Sequence, residues 1–180
     1  APPAPARTKK RTGGRAMPAG AVKAEMPQKL SPLLATLVDA PPGRPSEWVY
    51  EIKFDGYRML ARVDADGDVR LITRNGHDWS SRLPHLVQAL ARMKPKPGWL
   101  DGEIVVLAES GRTDFQALQN AFESARTQGI EFFLFDVPYY DGHDLRRVPL
   151  VERREFLRGL LAKAPAGIPL GEALDAAPKD

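Results

Sequence analysis

From residue 30 onward, short turn-forming stretches divide the chain into segments that fit single strands and single helices. The stretches contain Pro, Gly, Asp and Ser, which adopt the backbone conformations of tight turns. They are Pro41-Pro42-Gly43, Asp66-Gly67-Asp68, residues 94–98, Ser110-Gly111 and Asp141-Gly142. Between them, apolar residues recur at the spacing of a strand or of a helix. We therefore expect one domain built from short, tightly connected elements.

The spacing of the apolar residues predicts the individual elements. Strands are predicted at residues 48–54, 59–63, 69–73, 99–107 and 130–137. Helices are predicted at residues 83–93, 114–125 and 150–161. Residues 59–63 and 69–73 flank the Asp-Gly-Asp turn and predict a hairpin. Strand pairs joined by tight turns and interrupted by single helices predict an α+β fold, with mainly antiparallel sheets and flanking helices.

Residues 1–28 differ from the rest in composition. They are rich in Ala, Pro, Gly, Lys and Arg, and such a segment buries too little apolar surface to offset the entropy of ordering. The first 30 residues carry seven basic and one acidic side chain, whereas the other 150 carry 19 basic and 22 acidic ones. We expect a disordered basic linker over 1–28 and a folded domain over 29–180. The linker would attract DNA without sequence preference, or its charge would only keep it extended.

Composition also excludes several classes of protein. No apolar run approaches the roughly 20 residues of a membrane-spanning helix, and no apolar segment typical of a signal peptide follows the basic N-terminal stretch. Cysteine is absent, which excludes disulfides and thiolate metal sites and fits a reducing compartment. The three histidines show no metal-ligand spacing. We expect a soluble cytoplasmic protein that does not act at a membrane.

The strand predicted at residues 48–54 and the residues after it carry a cluster of charged side chains. Glu51, Lys53 and Asp55 alternate with apolar and aromatic residues. Gly56 has no Cβ and would let a ligand approach closely, and Arg58 adds a guanidinium fork suited to a phosphate or a carboxylate. A solvated strand face would account for the charges alone. The cluster nevertheless combines a nucleophile, acids and an anion-binding group.

Lys53 can act as a nucleophile only when its amine is neutral. Neighbouring carboxylates favour the ammonium form, so the site needs additional positive charge. A divalent metal ion bound by the acids, together with Arg58 and Arg74, would supply this charge and let Lys53 attack a phosphorus atom. The sequence therefore suggests the hypothesis of phosphoryl-transfer chemistry at Lys53.

Four short segments follow one another along the chain: Lys53-Phe54-Asp55-Gly56-Tyr57-Arg58, Thr73-Arg74-Asn75-Gly76, Leu100-Asp101-Gly102-Glu103, and residues 133–137 with Tyr140-Asp141-Gly142. In this order they resemble the motifs of covalent nucleotidyltransferases, the superfamily of DNA ligases, RNA ligases and mRNA capping enzymes. The first matches the signature Lys-x-Asp-Gly-x-Arg. Residues 115–119 and 144–154 further resemble bacterial ATP-dependent DNA ligases, in particular the ligase module of ligase D. The resemblance implies the covalent nucleotidyltransferase fold.

The resemblance also implies an activity. In the family, the lysine attacks the α-phosphate of ATP, carries AMP as lysyl-AMP and passes it to a DNA 5′-phosphate, after which the nick is sealed in DNA repair and end joining. Mg²⁺ or Mn²⁺ is implied, because nucleotidyl transfer depends on neutralising phosphate charge. The implied partners are nicked or broken double-stranded DNA, Ku, and the polymerase and phosphoesterase domains of a parent chain, in the bacterial cytoplasm at the nucleoid.

By the same resemblance, the site residues have separate roles. Lys53 is the nucleophile, Glu51 lies by the adenine amino group and Phe135 stacks on the adenine ring. Arg58 positions the nucleotide, and Arg74 contacts the ribose or the DNA 5′-phosphate. Taken without the resemblance, Phe135 would be read as a core aromatic residue, since a buried Phe needs no ligand.

Two acidic residues complete the implied site. Glu103 is expected to face the ribose hydroxyls or a metal ion, and Asp55 to bind metal. An exposed edge position is the alternative for Glu103. The family's Glu-Gly segment, Lys-x-Lys segment and OB-fold domain have no counterpart before Asp180. We therefore expect a partial adenylation domain, incomplete at its C-terminus, with impaired activity on its own.

Two other functions stay open from the sequence. An RNA ligase or an mRNA capping guanylyltransferase shares the lysine motif, and labelling of the lysine by ATP or by GTP would distinguish them. A DNA-binding or Ku-docking module without catalysis would instead depend on the basic tail.

Overall fold

The computed structural model describes residues 16–39, 43–44 and 48–174, and its largest element is a six-stranded antiparallel sheet. Its strands are β1 (Val22–Lys23), β3 (Tyr57–Val63), β4 (Val69–Thr73), β5 (Gly98–Val106), β6 (Ile130–Tyr140) and β7 (His143–Asp144), in the order β1-β7-β6-β5-β3-β4. The strands β2 (Tyr50–Glu51) and β8 (Ala173–Leu174) form a second, antiparallel pair. The predicted α+β class with mainly antiparallel sheet is confirmed.

Three helices, α1 (Pro84–Arg92), α2 (Phe115–Glu123) and α3 (Leu150–Leu160), cover one face of the large sheet. Alternate residues of the sheet, such as Met59, Ala61 and Leu71, are fully buried against them. The predicted elements in this region agree with the observed ones to within one to three residues. The hairpin is also confirmed, because Val63 pairs with Val69 across the turn.

The opposite face of the sheet is partly covered by residues that were predicted to be disordered. β1 pairs with β7, the indole Nε1 of Trp99 donates to the carbonyl of Pro27 (3.0 Å), and the Tyr139 hydroxyl donates to the carbonyl of Ala24 (2.6 Å). The expectation of a disordered segment ending at residue 28 is therefore wrong for residues 16–28. Backbone pairing and hydrogen bonds to buried aromatic residues order this segment although it has few large apolar side chains of its own. Residues 1–15, Pro41-Pro42 and Asp180 lie outside the described residues.

The predicted strand at residues 48–54 is also wrong in its extent. Only Tyr50 and Glu51 pair with another strand, and Ile52 is 53% exposed. The chain then leaves the small sheet, and the ring of Phe54 packs on that of Phe133, with 4.6 Å between centroids. Alternation alone does not reveal that residues 52–56 connect two sheets. None of the described helices is long and apolar enough to cross a membrane.

Candidate active site

A cavity of about 470 Å³ lies where the small sheet, the large sheet and α3 meet. Its walls include residues of β2, β3, β5, β6 and α3, and residues of the segments before β2 and β8; they are Leu33, Ala35, Glu51, Ile52, Lys53, Phe54, Arg58, Glu103, Phe135, Asp136, Leu150, Arg153, Gly171 and Glu172. The structure thus brings together side chains that are up to 139 positions apart in the chain.

Five of the seven predicted site residues line this cavity: Glu51, Lys53, Arg58, Glu103 and Phe135. Lys53 lies on the connection between β2 and β3 and is exposed. It forms no ion pair or side-chain hydrogen bond with another residue in the described part of the chain. Its amine is therefore accessible to a ligand in the cavity.

Asp55 and Arg74 are placed differently. Asp55 does not line the cavity, and its backbone N–H donates to the hydroxyl of Thr113 (3.3 Å). Arg74 lines a neighbouring groove of about 350 Å³ that it shares with Arg58 and Gly56. Its backbone N–H donates to the carbonyl of Arg58 (3.3 Å). Arg74 thus lies directly beside the cavity, with Arg58 between the two spaces.

Arg58 is fixed by a carboxylate that the sequence roles did not include. Its Nε and one terminal nitrogen donate to the two carboxylate oxygens of Asp101, at 2.7 and 2.8 Å. The guanidinium also lies 4.5 Å from the centroid of the Phe135 ring, a cation–π contact. Burial raises the pKa of Asp101 above its ordinary value, although Arg58 acts in the opposite direction. The guanidinium fork therefore binds a protein carboxylate.

Glu51 is held by a second arginine, Arg154 of α3. Arg154 is buried, and its guanidinium donates to the Glu51 carboxylate and to the backbone carbonyls of Phe135 and Gly171. Burial raises the pKa of Glu51 above its ordinary value, while the neighbouring Arg154 lowers it. The Glu51 side chain keeps 35% of its surface exposed, so it remains accessible from the cavity.

Glu103 lies on β5 opposite Arg58 of β3. It accepts a hydrogen bond from the backbone N–H of Gly56, and burial raises its pKa above the ordinary value. A Cβ on Gly56 would lie 2.2 Å from the Ile104 carbonyl oxygen and 2.8 Å from Cγ1 of Val105. The sequence predicts that this glycine makes room for a ligand, whereas in the structure it makes room for β5.

The neighbouring residue Arg153 has a structural role beside the cavity. It donates to both carboxylate oxygens of Asp136 (2.7 and 2.9 Å) and to the carbonyl of Val148 (2.7 Å). Both partners of this ion pair are buried. The pair fixes α3 to β6, since a buried charge is stable only when it is paired and hydrogen-bonded.

The sequence reasoning assigned no role to Asp101, Arg153 or Arg154. A signal existed for Asp101, because a carboxylate in the apolar strand predicted at residues 99–107 requires a partner. The adjacent arginines of α3 gave a weaker signal, because an amphipathic helix usually exposes its charged residues. Their carboxylate partners are 17 and 103 positions away, so only the tertiary structure identifies them.

Comparison with known proteins decides the family. A family model described as the ATP dependent DNA ligase domain matches residues 30–178. The chain belongs to the ATP-dependent DNA ligase family. The resemblance predicted from the four segments is thereby confirmed.

Several relatives are multifunctional non-homologous end joining proteins by name. The chain is 58% identical over 139 residues to the multifunctional non-homologous end joining protein LigD of Pseudomonas aeruginosa, covering 77% of this chain and 16% of that protein. It is 36% identical over 140 residues to LigD of Mycobacterium tuberculosis, covering 78% and 18%. The chain thus spans less than a fifth of these curated relatives.

Solved ligase structures share the fold. The ligase domain of M. tuberculosis LigD aligns with a TM-score of 0.68 and 33% identity, covering 82% of this chain and 47% of that chain. A mycobacterial DNA ligase D complexed with ATP and MES aligns with the same TM-score and coverage at 35% identity. The predicted nucleotidyltransferase fold is therefore confirmed, and the chain corresponds to about half of the solved ligase domains.

Proposed function

We propose that the cavity is the adenylation site of an ATP-dependent DNA ligase, in which Lys53 receives AMP from ATP. One observation carries the proposal: a single cavity collects Lys53, Arg58, Glu103 and Phe135 from three separate ligase motif segments, together with Glu51, which lies two residues before the first segment. The accessible amine of Lys53 supports it. The ATP complex of a relative with the same fold adds support for ATP as the nucleotide.

The proposed reaction forms a phosphoramidate. The neutral Nζ of Lys53 attacks the α-phosphorus of ATP, the new N–P bond forms, and the bond from the α-phosphorus to the bridging oxygen of pyrophosphate breaks. Lys53 loses a proton and pyrophosphate leaves. A DNA 5′-phosphate oxygen then displaces the lysine nitrogen, and the 3′-hydroxyl of the adjoining strand finally displaces AMP and closes the nick.

In this proposal the base is recognised by Phe135 and Glu51. The Phe135 ring offers a stacking surface, and the Glu51 carboxylate accepts a hydrogen bond from the adenine amino group. Arg58 already lies over the Phe135 ring. A purine would therefore use the opposite face of that ring or displace the guanidinium.

Asp55 and Glu103 are the residues that would hold Mg²⁺. They are close enough for the charge of Asp55 to raise the pKa of Glu103. The described residues contain no group of three or more candidate ligands. This fits Mg²⁺, which proteins often bind through one or two carboxylates together with substrate phosphates and water. When bound, the ion would neutralise charge on the ATP phosphates.

The biological setting is inferred from the relatives. Their names connect LigD to non-homologous end joining. We infer that the chain serves bacterial DNA end joining on nicked or broken duplex DNA, with Ku and the polymerase and phosphoesterase domains as partners in the cytoplasm at the nucleoid. Arg74, in the groove beside the cavity, is our candidate for contact with the ribose or the DNA 5′-phosphate.

A labelling experiment tests the proposal. This chain, and a P. aeruginosa LigD whose matched segment is replaced by that of this chain, are incubated with α-³²P-ATP and Mg²⁺ and separated under denaturing conditions. We expect covalent label in the wild type, no label in Lys53→Ala and full label in Lys163→Ala, which replaces an exposed lysine that does not line the cavity.

Two results would contradict the assignment. Equal labelling of Lys53→Ala would remove Lys53 as the nucleophile. Labelling by α-³²P-GTP in preference to ATP would favour the chemistry of a capping guanylyltransferase. Retention of label in a chain that lacks residues 1–15 is expected, because every residue assigned to the proposed site lies between Glu51 and Phe135.

A further inference from the structure

Arg154 is buried at the back of the cavity, with only 4% of its surface exposed. Its guanidinium donates to three groups: the Oε1 atom of Glu51, the carbonyl of Phe135 (3.2 Å) and the carbonyl of Gly171. These groups belong to β2, to β6 and to the segment before β8. Glu51, Phe135 and Gly171 all line the cavity. One side chain thus connects three walls of the proposed nucleotide site.

The planar shape of the guanidinium fixes the geometry of this connection. Its five N–H groups lie in one plane in a fixed fork, so partners that bind it together are held in a fixed relative arrangement. Arg154 binds Oε1 of Glu51, and Oε2 has no hydrogen-bond partner within the described part of the chain. One carboxylate oxygen is therefore anchored, while the other makes no hydrogen bond to a described residue in a side chain that lines the cavity and is 35% exposed.

Anchoring of the helix does not by itself account for Arg154. The adjacent Arg153 already fixes α3 to the large sheet through both oxygens of Asp136 and the carbonyl of Val148. Arg154 makes no hydrogen bond to Asp136, and its carboxylate partner is Glu51. Arg153 therefore stabilises the packing of α3 on the large sheet, whereas Arg154 holds a side chain that lines the cavity.

On the basis of the proposed adenylation site, we propose that Arg154 is a positioning residue that holds Glu51 for selection of adenine over guanine. An anchored carboxylate can only accept hydrogen bonds, so it suits the 6-amino group of adenine and repels the 6-oxo group of guanine. Without Arg154, Glu51 could rotate or bind a proton, since burial already raises its pKa. A protonated Glu51 could donate to the oxo group, and discrimination would fall.

The test compares nucleotide preference among four variants. The Kd values for ATP and for GTP are measured by calorimetry in the chain, and nucleotidyl-lysine formation is measured in the P. aeruginosa LigD chimera. The variants are Arg154→Gln, Arg154→Lys, Glu51→Gln and the double variant Glu51→Gln with Arg154→Gln. Arg158→Gln is the matched control, because it removes an exposed arginine of the same helix that pairs with Glu155 at the surface.

We expect Arg154→Gln to reduce the ATP-over-GTP preference by about tenfold or more, since a charge-assisted hydrogen bond orients the selecting group. Arg154→Lys should retain part of the preference, because the ammonium keeps the charge and loses the fork. The double variant should match Glu51→Gln, because Arg154 acts through Glu51. The Arg158→Gln control should keep the wild-type ratio.

Each outcome has a defined meaning. An unchanged preference in a folded Arg154→Gln variant would overturn the proposal, as would a double variant whose loss exceeds that of Glu51→Gln. If thermal unfolding shows that Arg154→Gln is not folded, the ATP-over-GTP preference of Arg154→Lys is used instead. An unchanged preference in that variant would likewise overturn the proposal. Failure of the adenylation site itself would appear as labelling that survives Lys53→Ala, or as a wild type that binds neither nucleotide.

Discussion

At the scale of single residues, packing between strands requires a glycine at position 56 of the Lys-x-Asp-Gly sequence. Gly56 begins the turn into β3 at a point where β5 leaves no room for a Cβ. The same contact lets the backbone N–H of Gly56 donate to Glu103. Position 56 thus couples the shape of the sheet to the placement of an acid in the cavity.

Gly56→Ala should destabilise the protein. The added Cβ would lie 2.2 Å from a backbone oxygen of β5, so the strands must separate. We expect a loss of about 1–3 kcal/mol in the free energy of unfolding, measured by urea denaturation. Gly129→Ala is the control, because a Cβ added at Gly129 would meet nothing within 4 Å. Equal losses in the two variants would show that the contact with β5 is not the cause.

The stability of the protein should depend on the ionisation of Glu103. Burial raises the pKa of Glu103 in the folded state above its ordinary value of 4.5, so the unfolded chain ionises first as the pH rises. Its contribution to stability is complete below that value and is lost as the pH rises through the folded-state pKa. Relative to Glu103→Gln, the wild type should therefore lose stability with rising pH over this interval.

Urea denaturation at a series of pH values measures this dependence. The difference in unfolding free energy between the wild type and Glu103→Gln should change with pH in the stated direction. The exposed Glu109→Gln variant, away from the cavity, should follow the wild type. A pH-independent difference for Glu103→Gln would contradict the raised pKa.

At the scale of elements, local chemistry marks the starts of α1 and α2. α1 begins at Pro84. Proline has no backbone N–H, which costs nothing here because the N–H groups of the first helical turn have no acceptor within the helix. α2 is preceded by Asp114, whose carboxylate accepts a hydrogen bond from the backbone N–H of Ala117 (2.9 Å). Such local signals account for the agreement between the predicted and observed starts of α1 and α2.

Asp114→Ala should weaken α2 by removing its N-terminal cap. We expect a loss of about 1 kcal/mol in the free energy of unfolding, because the N–H of Ala117 then lacks its side-chain acceptor. Circular dichroism during urea denaturation measures it. Glu123→Ala at the exposed end of the same helix should change the stability by less than about 0.5 kcal/mol. A similar loss in both variants would argue against the cap.

At the scale of the whole molecule, residues 16–28 complete a face of the large sheet. The segment pairs with β7 and accepts hydrogen bonds from Trp99 and Tyr139, which lie on β5 and β6. Arg62 also donates to the carbonyl of Gln28 (3.0 Å). The side chains that donate these hydrogen bonds belong to the sheet, and the acceptors are backbone carbonyls of the segment. Every residue has a backbone carbonyl, so the amino-acid composition of the segment does not predict that it packs on the sheet.

Tyr139→Phe should release this segment in part. The variant removes the hydrogen bond to Ala24, and we expect a loss of about 1 kcal/mol in the free energy of unfolding. Amide hydrogen exchange should quicken at Lys23 and Ala24. Tyr50→Phe is the control, since the Tyr50 hydroxyl is buried with no hydrogen-bond partner among the described residues. Unchanged exchange in Tyr139→Phe would show that the other hydrogen bonds of the segment hold it without the Tyr139 hydroxyl.

The sequence by itself determined the fold class, the hairpin, the three helices and the nucleophile candidate. These depend on apolar spacing, turn residues and short motifs, which are properties of neighbouring residues. The resemblance also identified five residues that line one cavity, four of them inside the motif segments, although Asp55 and Arg74 do not line that cavity. The local sequence pattern was sufficient to predict a feature wherever the interactions that form it connect residues close in the chain.

Only the tertiary structure decided which side chains hold the site in place. Arg58 binds Asp101, 43 positions away, and Arg154 binds Glu51, 103 positions away. The shortening of the strand at residues 48–54 and the ordering of residues 16–28 likewise depend on partners distant in sequence. A buried charge or an unpaired backbone group requires some partner, but the sequence does not specify which one until the chain is folded.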